Sequence, residues 1–233
     1  MTGFDGLSCI LPAFNEAPRI GAVLAAVAAQ RDVAEVIVVD DGSQDGTAEV
    51  AERHRDRVPG LRVLRMPRNG GKTRAVAAGI AEATRSHLML VDSDLTGLGG
   101  AHLDALVAPV ADGRAGASLS LRANAPWPWR ALGIDYISGE RVLPRALLAD
   151  RLDALDALPR FGLEVFMNEL WLEAGWPVAV VPWPGVASPL KAEKAGGWRA
   201  GLRADAAMMA DIFRTVGVTA TARQIFALRA RRL

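Results

Sequence analysis

With 233 residues, 51% of them hydrophobic, the chain is long enough to bury a large core in one α/β unit or two small ones. Its 27 Lys and Arg nearly cancel its 26 Asp and Glu, leaving a formal charge of +1; nothing global points to nucleic acid as a partner, and any basic site must be local. A single cysteine, Cys9, excludes an internal disulfide and a multi-cysteine metal cluster, and in apolar surroundings it reads as a buried structural thiol in a cytoplasmic protein. Asp5 interrupts the only N-terminal stretch suited to a secretory signal, and Pro177, Pro182, Pro184 and Pro189 break the long uncharged segment 174–190, so a spanning helix is not expected there.

Residues 7–13 read as a buried strand ending at Pro12-Ala13, followed by the turn Phe14-Asn15-Glu16-Ala17-Pro18 and a helix to about Gln30. A second strand, residues 35–39, runs into Asp40-Asp41-Gly42-Ser43, whose glycine and caps suit a tight strand-to-helix turn. A third, residues 61–64, precedes Asn69-Gly70-Gly71-Lys72 and a helix from Lys72 to about Thr84. A nucleoside-triphosphate P-loop would need glycine at position 66, where Met66 stands. Two readings of Lys72 then stay open, a phosphate contact near a helix start or a solvated lysine.

The fourth strand, Leu88-Met89-Leu90-Val91, ends in Asp92-Ser93-Asp94. Residues two apart on an extended segment share a side, so Asp92 and Asp94 can both face a hard cation or a ribose; taken alone, the pair is equally consistent with a helix cap and a solvated carboxylate. A glycine-rich loop, a helix over 101–112 and a strand over 117–121 continue the rhythm. Strand, polar turn and helix in alternation predict an α/β fold with a mostly parallel, doubly wound sheet and helices on both faces. No Gly-x-Gly-x-x-Gly follows the first strand, which disfavours a dinucleotide site.

Near residue 123 the composition shifts, because all six tryptophans lie beyond it. One domain over 1–233 is expected, with a ligand-binding half (1–122) and a second half (123–233) that binds something different. Residues 125–128 read as a proline-rich loop, and Ser138, Gly139 and Arg141, with Arg145 one helical turn on, read as an anion pocket at a helix start. Glu164, opening a helix from Phe161 to about Glu173, is a candidate acid or base. For these arginines and for Glu164, ordinary helix-surface roles stay open. After a strand over 178–181 come Lys191, Lys194 and Arg199, then a basic amphipathic helix from about Ala222. That helix suits peripheral contact with an anionic membrane, a homodimer contact, or packing on its own domain.

Together the motifs Leu11-Pro12-Ala13-Phe14-Asn15-Glu16, Val38-Val39-Asp40-Asp41-Gly42-Ser43, Asn69-Gly70-Gly71-Lys72 and Asp92-Ser93-Asp94 resemble those of the family 2 glycosyltransferases of GT-A fold. That family includes relatives of the dolichol-phosphate sugar synthases and the glucosyl-3-phosphoglycerate synthases. The resemblance implies transfer of a hexose from a nucleotide-diphosphate sugar, UDP-glucose or GDP-mannose, to a phosphate-bearing or lipid-phosphate acceptor. It implies a donor site from Pro12, Ala13, Asn15, Glu16, Asp40, Gly42, Lys72, Asp92 and Ser93. Asp92 and Asp94 would hold Mg²⁺ or Mn²⁺, Asp94 and Glu164 would be catalytic, and Ser138, Gly139, Arg141 and Arg145 would bind the acceptor. Many members carry a histidine metal ligand after the late strand, where this chain offers only Ser188. A nucleotidyltransferase and a silent nucleotide-sugar-binding protein are the other readings.

Overall fold

The computed structural model describes residues 3–156, 158, 162–188 and 217–233. Seven strands form one sheet: β1 (Leu7–Ala13), β2 (Val33–Asp40), β3 (Arg62–Arg65), β4 (His87–Leu90), β5 (Ala117–Arg122), β6 (Arg141–Pro144) and β7 (Val178–Trp183), in the order β3-β2-β1-β4-β6-β5-β7. Every neighbouring pair is parallel except those made by β6, which runs antiparallel to both β4 and β5. Among the described residues the helices are α1 (Ile20–Ala28), α2 (Thr47–Glu52), α3 (Lys72–Glu82), α4 (Gly100–Ala111), α5 (Trp127–Leu132), α6 (Ala146–Ala149), α7 (Leu152–Asp156), α8 (Gly162–Ala174) and α9 (Val218–Ala230).

The continuous apolar runs of the strands arise because both sheet faces are covered. Alternate residues go to different cores: Ile10, Ile37, Val39 and Leu90 pack under α3 and α8, whereas Cys9, Leu11, Val38 and Met89 pack under α1 and α4. Each such side chain contributes roughly 1.5–3 kcal/mol when fully buried. At Gly79 a Cβ would stand 2.5 Å from Ile10 Cγ2, so the absence of a side chain lets α3 lie directly on β1. This closeness fixes the height of Lys72, at the start of α3, above the strand ends.

Two expectations for the second half are corrected. Residues 141–144 form a strand, not a helix start: Val142 goes to one core and Leu143 to the other, the period of a strand. The proline-rich stretch leads straight into α5, with Pro128 in the first turn, where a missing N–H costs nothing. The C-terminal helix α9 packs on its own fold through Ile225 and Leu228, and Gln224 donates to Glu169 Oε1 (2.8 Å). Among the described residues no helix is long and apolar enough to cross a membrane. Phe161, Lys191, Lys194, Trp198 and Arg199 lie outside the described residues.

Candidate active site

The carboxyl ends of β1 and β4 and the start of α3 enclose a cavity of about 450 Å³, where open α/β sheets place their ligands. β4 hands over to the site through Val91, whose N–H donates to Ile10 O (3.1 Å), so Asp92 emerges beside the end of β1. Ser93 Oγ then donates to Pro12 O (2.8 Å) and ties the two strand ends together. Pro12, Ala13, Glu16, Lys72, Asp92, Ser93 and Asp94 all line the cavity, with half-exposed Phe14 at its mouth.

Asn15, Asp40 and Gly42 do not line it; they build the turns behind it. Asn15 adopts a left-handed conformation (φ 56°); its N–H donates to Ser43 Oγ (2.9 Å) and its Oδ1 accepts from Gln44 N (3.0 Å), clasping the two loops. Asp40 accepts from Ser43 N (3.2 Å). Gly42 (φ 76°) presses on the next loop so closely that a Cβ would meet Arg68 C and Asn69 N at 2.8 Å. Asp41, rather than Asp40, faces the cavity, its carboxylate accepting from Gly70 N (2.8 Å) and Gly71 N (2.7 Å). Adjacent residues leaving a strand point to opposite sides, and only one of the two acids can serve the pocket.

Lys72 Nζ lies 2.7 Å from Asp92 Oδ1 and 3.3 Å from Glu164 Oε1. Burial opposes its charge, but the two carboxylates outweigh burial and hold the ammonium above the ordinary lysine range. Burial likewise pushes Asp92 up, and the charges of Lys72 and Arg122 overcome it, holding Asp92 below the usual carboxylate range. At Asp94 burial and the Asp92 charge prevail over the hydrogen bond from Ser188 Oγ (2.7 Å), so its pKa is raised. Glu16 is raised by burial, with Asp94 adding to the effect and Arg19 opposing it. The cavity therefore holds more carboxylate than its own cations neutralise.

Behind Asp92 the chain folds back at Gly139, where a Cβ would lie 2.6 Å from Lys72 Nζ and 2.7 Å from Asp92 Oδ2. Glu140, fully buried, accepts from Ser120 Oγ (2.6 Å), Ser138 Oγ (3.1 Å) and Arg122 (3.3 Å), and Arg122 also pairs with Asp135 (3.7 Å). Ser138 is thus part of the framework. The expected anion pocket is not assembled. Arg141 is fully buried and donates to Ser138 O (2.6 Å), Asn168 Oδ1 (2.7 Å), Tyr136 O (3.1 Å) and Glu164 O (3.3 Å), with its guanidinium 4.8 Å from the Trp171 ring centroid. Burial draws its pKa down to about 10, so it stays charged at neutral pH. Arg145 follows the end of β6 that pairs with the start of β4 and donates its N–H to Ser86 O (2.8 Å). Four residues of strand place it about 13 Å from the Asp92 end.

Residues 8–145, which hold the strand-end acid pair and the helix-start lysine, match the family model of glycosyl transferase family 2. The chain belongs to glycosyl transferase family 2. An uncharacterized glycosyltransferase of Mycobacterium bovis is 32% identical over 195 residues, 75% of this chain and 82% of that one. A dolichyl-phosphate beta-glucosyltransferase of Trichomonas vaginalis is 35% identical over 94 residues, 36% of this chain and only 28% of that longer protein. Among solved structures, glucosyl-3-phosphoglycerate synthase from Mycobacterium tuberculosis, in complex with Mn²⁺, UDP-glucose and phosphoglyceric acid, superposes with a TM-score of 0.62 at 25% identity, covering 82% of this chain and 75% of that one. The fold is of the GT-A type.

In this family 2 chain a divalent cation fits the donor set in one way. No group of three His, Cys, Asp or Glu side chains among the described residues makes a cage for a metal. Asp92 and Asp94 would supply the one or two carboxylates that Mg²⁺ or Mn²⁺ takes from protein when substrate phosphates and water complete its shell. Sequence reasoning gave no role to Arg122 and Glu140, which meet across the β5–β6 pair, 18 positions apart, where no local spacing reveals them. Asp41 could have been found from the pleat of β2.

Proposed function

We propose that this chain is a metal-dependent glycosyltransferase that moves a hexose from a nucleotide-diphosphate sugar, UDP-glucose before GDP-mannose, to a phosphate-bearing acceptor. One GT-A unit would carry it, with the donor half at 1–122 and the acceptor half at 123–233. The observation that carries the reading is the cavity in which Asp92 and Asp94 stand beside a lysine held charged by two carboxylates.

In such a transfer the bond between the sugar's anomeric carbon and the diphosphate oxygen breaks, and a bond to an acceptor oxygen forms as that oxygen loses its proton. Negative charge grows on the departing diphosphate. A bound Mg²⁺ or Mn²⁺ would neutralise part of it, held by Asp94 and Asp92. Lys72 stands at the same place with its positive charge and would meet the phosphates by exchanging its carboxylate partners for them. Pro12, Ala13 and Glu16 line the part of the cavity that would take the nucleoside, with Asp41 holding the Gly70-Gly71 loop against it. Glu164, engaged with Lys72, can accept the acceptor proton only once that lysine turns toward the phosphates.

Calorimetric titration of UDP-glucose and GDP-mannose, with and without Mn²⁺, against wild type and Asp94→Asn tests the reading. Metal-dependent binding of one nucleotide that disappears in Asp94→Asn is expected. A folded wild type that binds neither would defeat it. A silent nucleotide-sugar-binding protein is the second reading, supported by Ser188, whose hydroxyl is spent on Asp94 where many family members carry a histidine. Donor binding without transfer to any phosphate-bearing acceptor would favour it.

A further inference from the structure

With Arg141 internal and Arg145 at the far end of the sheet, the acceptor side needs another anion-binding group. Topology carries the residues after β5 to the right place. Strand β6 reverses between β4 and β5, so β5 runs with β4 and ends, at Arg122, on the same side as Asp92. Two residues on, Asn124 Nδ2 donates to Ser188 O (3.2 Å), and Ser188 Oγ donates to Asp94 (2.7 Å). The start of α5 is thereby fastened to the site's own carboxylate. Within α5, Trp129 is the anchor, buried against Tyr136 with ring centroids 5.6 Å apart. Trp127 is left outside at 63% exposure, the largest apolar side chain so exposed among the described residues. Arg130, three residues on and therefore on the same helix face, is also exposed. Its guanidinium donates to Ala123 O (3.2 Å), and no carboxylate among the described residues pairs with it.

We propose that Trp127 and Arg130 form the acceptor-facing lip of the site, Arg130 taking the acceptor's phosphate and Trp127 packing against the carbon skeleton that bears it. The name acceptor rests on the glycosyltransferase reading; the binding of a phosphate-bearing molecule does not. An arginine pinned to a backbone carbonyl has already lost part of its side-chain freedom and keeps further N–H groups for a phosphate. An exposed tryptophan beside it offers a broad apolar face at little cost in entropy. A soluble phosphate monoester and a polyprenyl phosphate presented by a bilayer share this chemistry.

Two probes separate the sources: 3-phosphoglycerate, followed by calorimetry, and phosphatidylcholine vesicles doped with polyprenyl phosphate, followed by co-sedimentation against undoped vesicles. Each is titrated into the full chain with and without UDP and Mn²⁺. One probe is expected to bind, about tenfold more weakly to Arg130→Glu and to Trp127→Ala, with Arg130→Lys and Trp127→Phe retaining most of the affinity. UDP binding should be the same in all four variants. Unchanged probe affinity in Arg130→Glu and Trp127→Ala overturns the proposal, as does a folded wild type that binds neither probe. Failure to bind UDP, with the probe still sensitive to Arg130, overturns the donor reading and leaves the lip standing.

Discussion

Lys72 and Arg141 are both cations within reach of Glu164, and they are used in opposite ways. Lys72 reaches the mouth of a cavity and ends on two carboxylates, with 40% of its side chain still exposed. Arg141 is sealed, its guanidinium shared among three backbone carbonyls and an asparagine and stacked on Trp171. A buried guanidinium whose N–H groups are taken up by carbonyl and amide oxygens can meet a ligand only by giving up those hydrogen bonds. One held between carboxylates can exchange them for a phosphate. Acceptor type and exposure therefore separate framework from function where residue type cannot.

The strongest way to break that contrast is Arg141→Ala. It would take a donor from three carbonyls and leave the buried Asn168 amide oxygen without its guanidinium, and it would empty a large buried volume against Trp171, costing about 3–5 kcal/mol. A large drop in the denaturation midpoint is expected, whereas a wild-type midpoint would show that the guanidinium is no staple. Gly139→Ala sharpens the contrast from the other side: its Cβ would fall on Lys72 and Asp92, costing about 1–3 kcal/mol of stability. Metal-dependent UDP binding should fall at least about tenfold if, as proposed, the displaced pair receives the diphosphate and its metal. Titration calorimetry on the folded variant reads this directly. Lys72→Met should weaken UDP binding by a similar factor of about ten while lowering the denaturation midpoint less than Arg141→Ala does, since Lys72 is partly exposed and Asp92 keeps the charge of Arg122 nearby.

The smallest effect lies at the opposite end of the sheet. Burial pushes Glu35 up, but Ser8, the Thr84 N–H and hydroxyl, and Arg62 outweigh it, so its folded pKa lies below the ordinary 4.5. A depressed carboxylate gives its stability in full above the unfolded value and loses it as pH falls through the folded one. Thermal melts across that acid range should show a steeper loss for wild type than for Glu35→Gln. Equal slopes would mean the network adds nothing to the acid sensitivity of the fold.

The first half was legible because its function is local. Each of its motifs sits where an apolar run stops, so the hydrophobic pattern that sets the strand also sets which residues emerge at the ligand end. Asp92-Ser93-Asp94 follows closely on the end of β4 at Leu90, and the turn through Ser93 and Asp94 keeps both acids in one cavity. Where the reading chose Asp40, a strand one residue longer turned that side chain into the loop and brought Asp41 to the pocket. Further along, Arg141–Pro144 carries just two apolar side chains, too few to distinguish a four-residue strand from a helix turn. The Arg122–Glu140 pair exists only because β6 returns beside β5. That return is a tertiary event with no signature in spacing.

The reversed strand also limits how the molecule can move. Because β6 is hydrogen-bonded to β4 on one side and to β5 on the other, residues of the second half are rungs of the same ladder that carries Asp92. Swinging the halves apart like a clamshell would break that ladder at roughly 1 kcal/mol per rung, plus the packing of Val142 and Leu143 on the two faces. Among the described residues, the contacts at the site that can open without breaking that ladder are those of the Gly70-Gly71 loop, latched by Asp41, and the Asn124–Ser188 contact beside Asp94. A crosslink between the halves should leave turnover intact, whereas one that pins either latch should slow it.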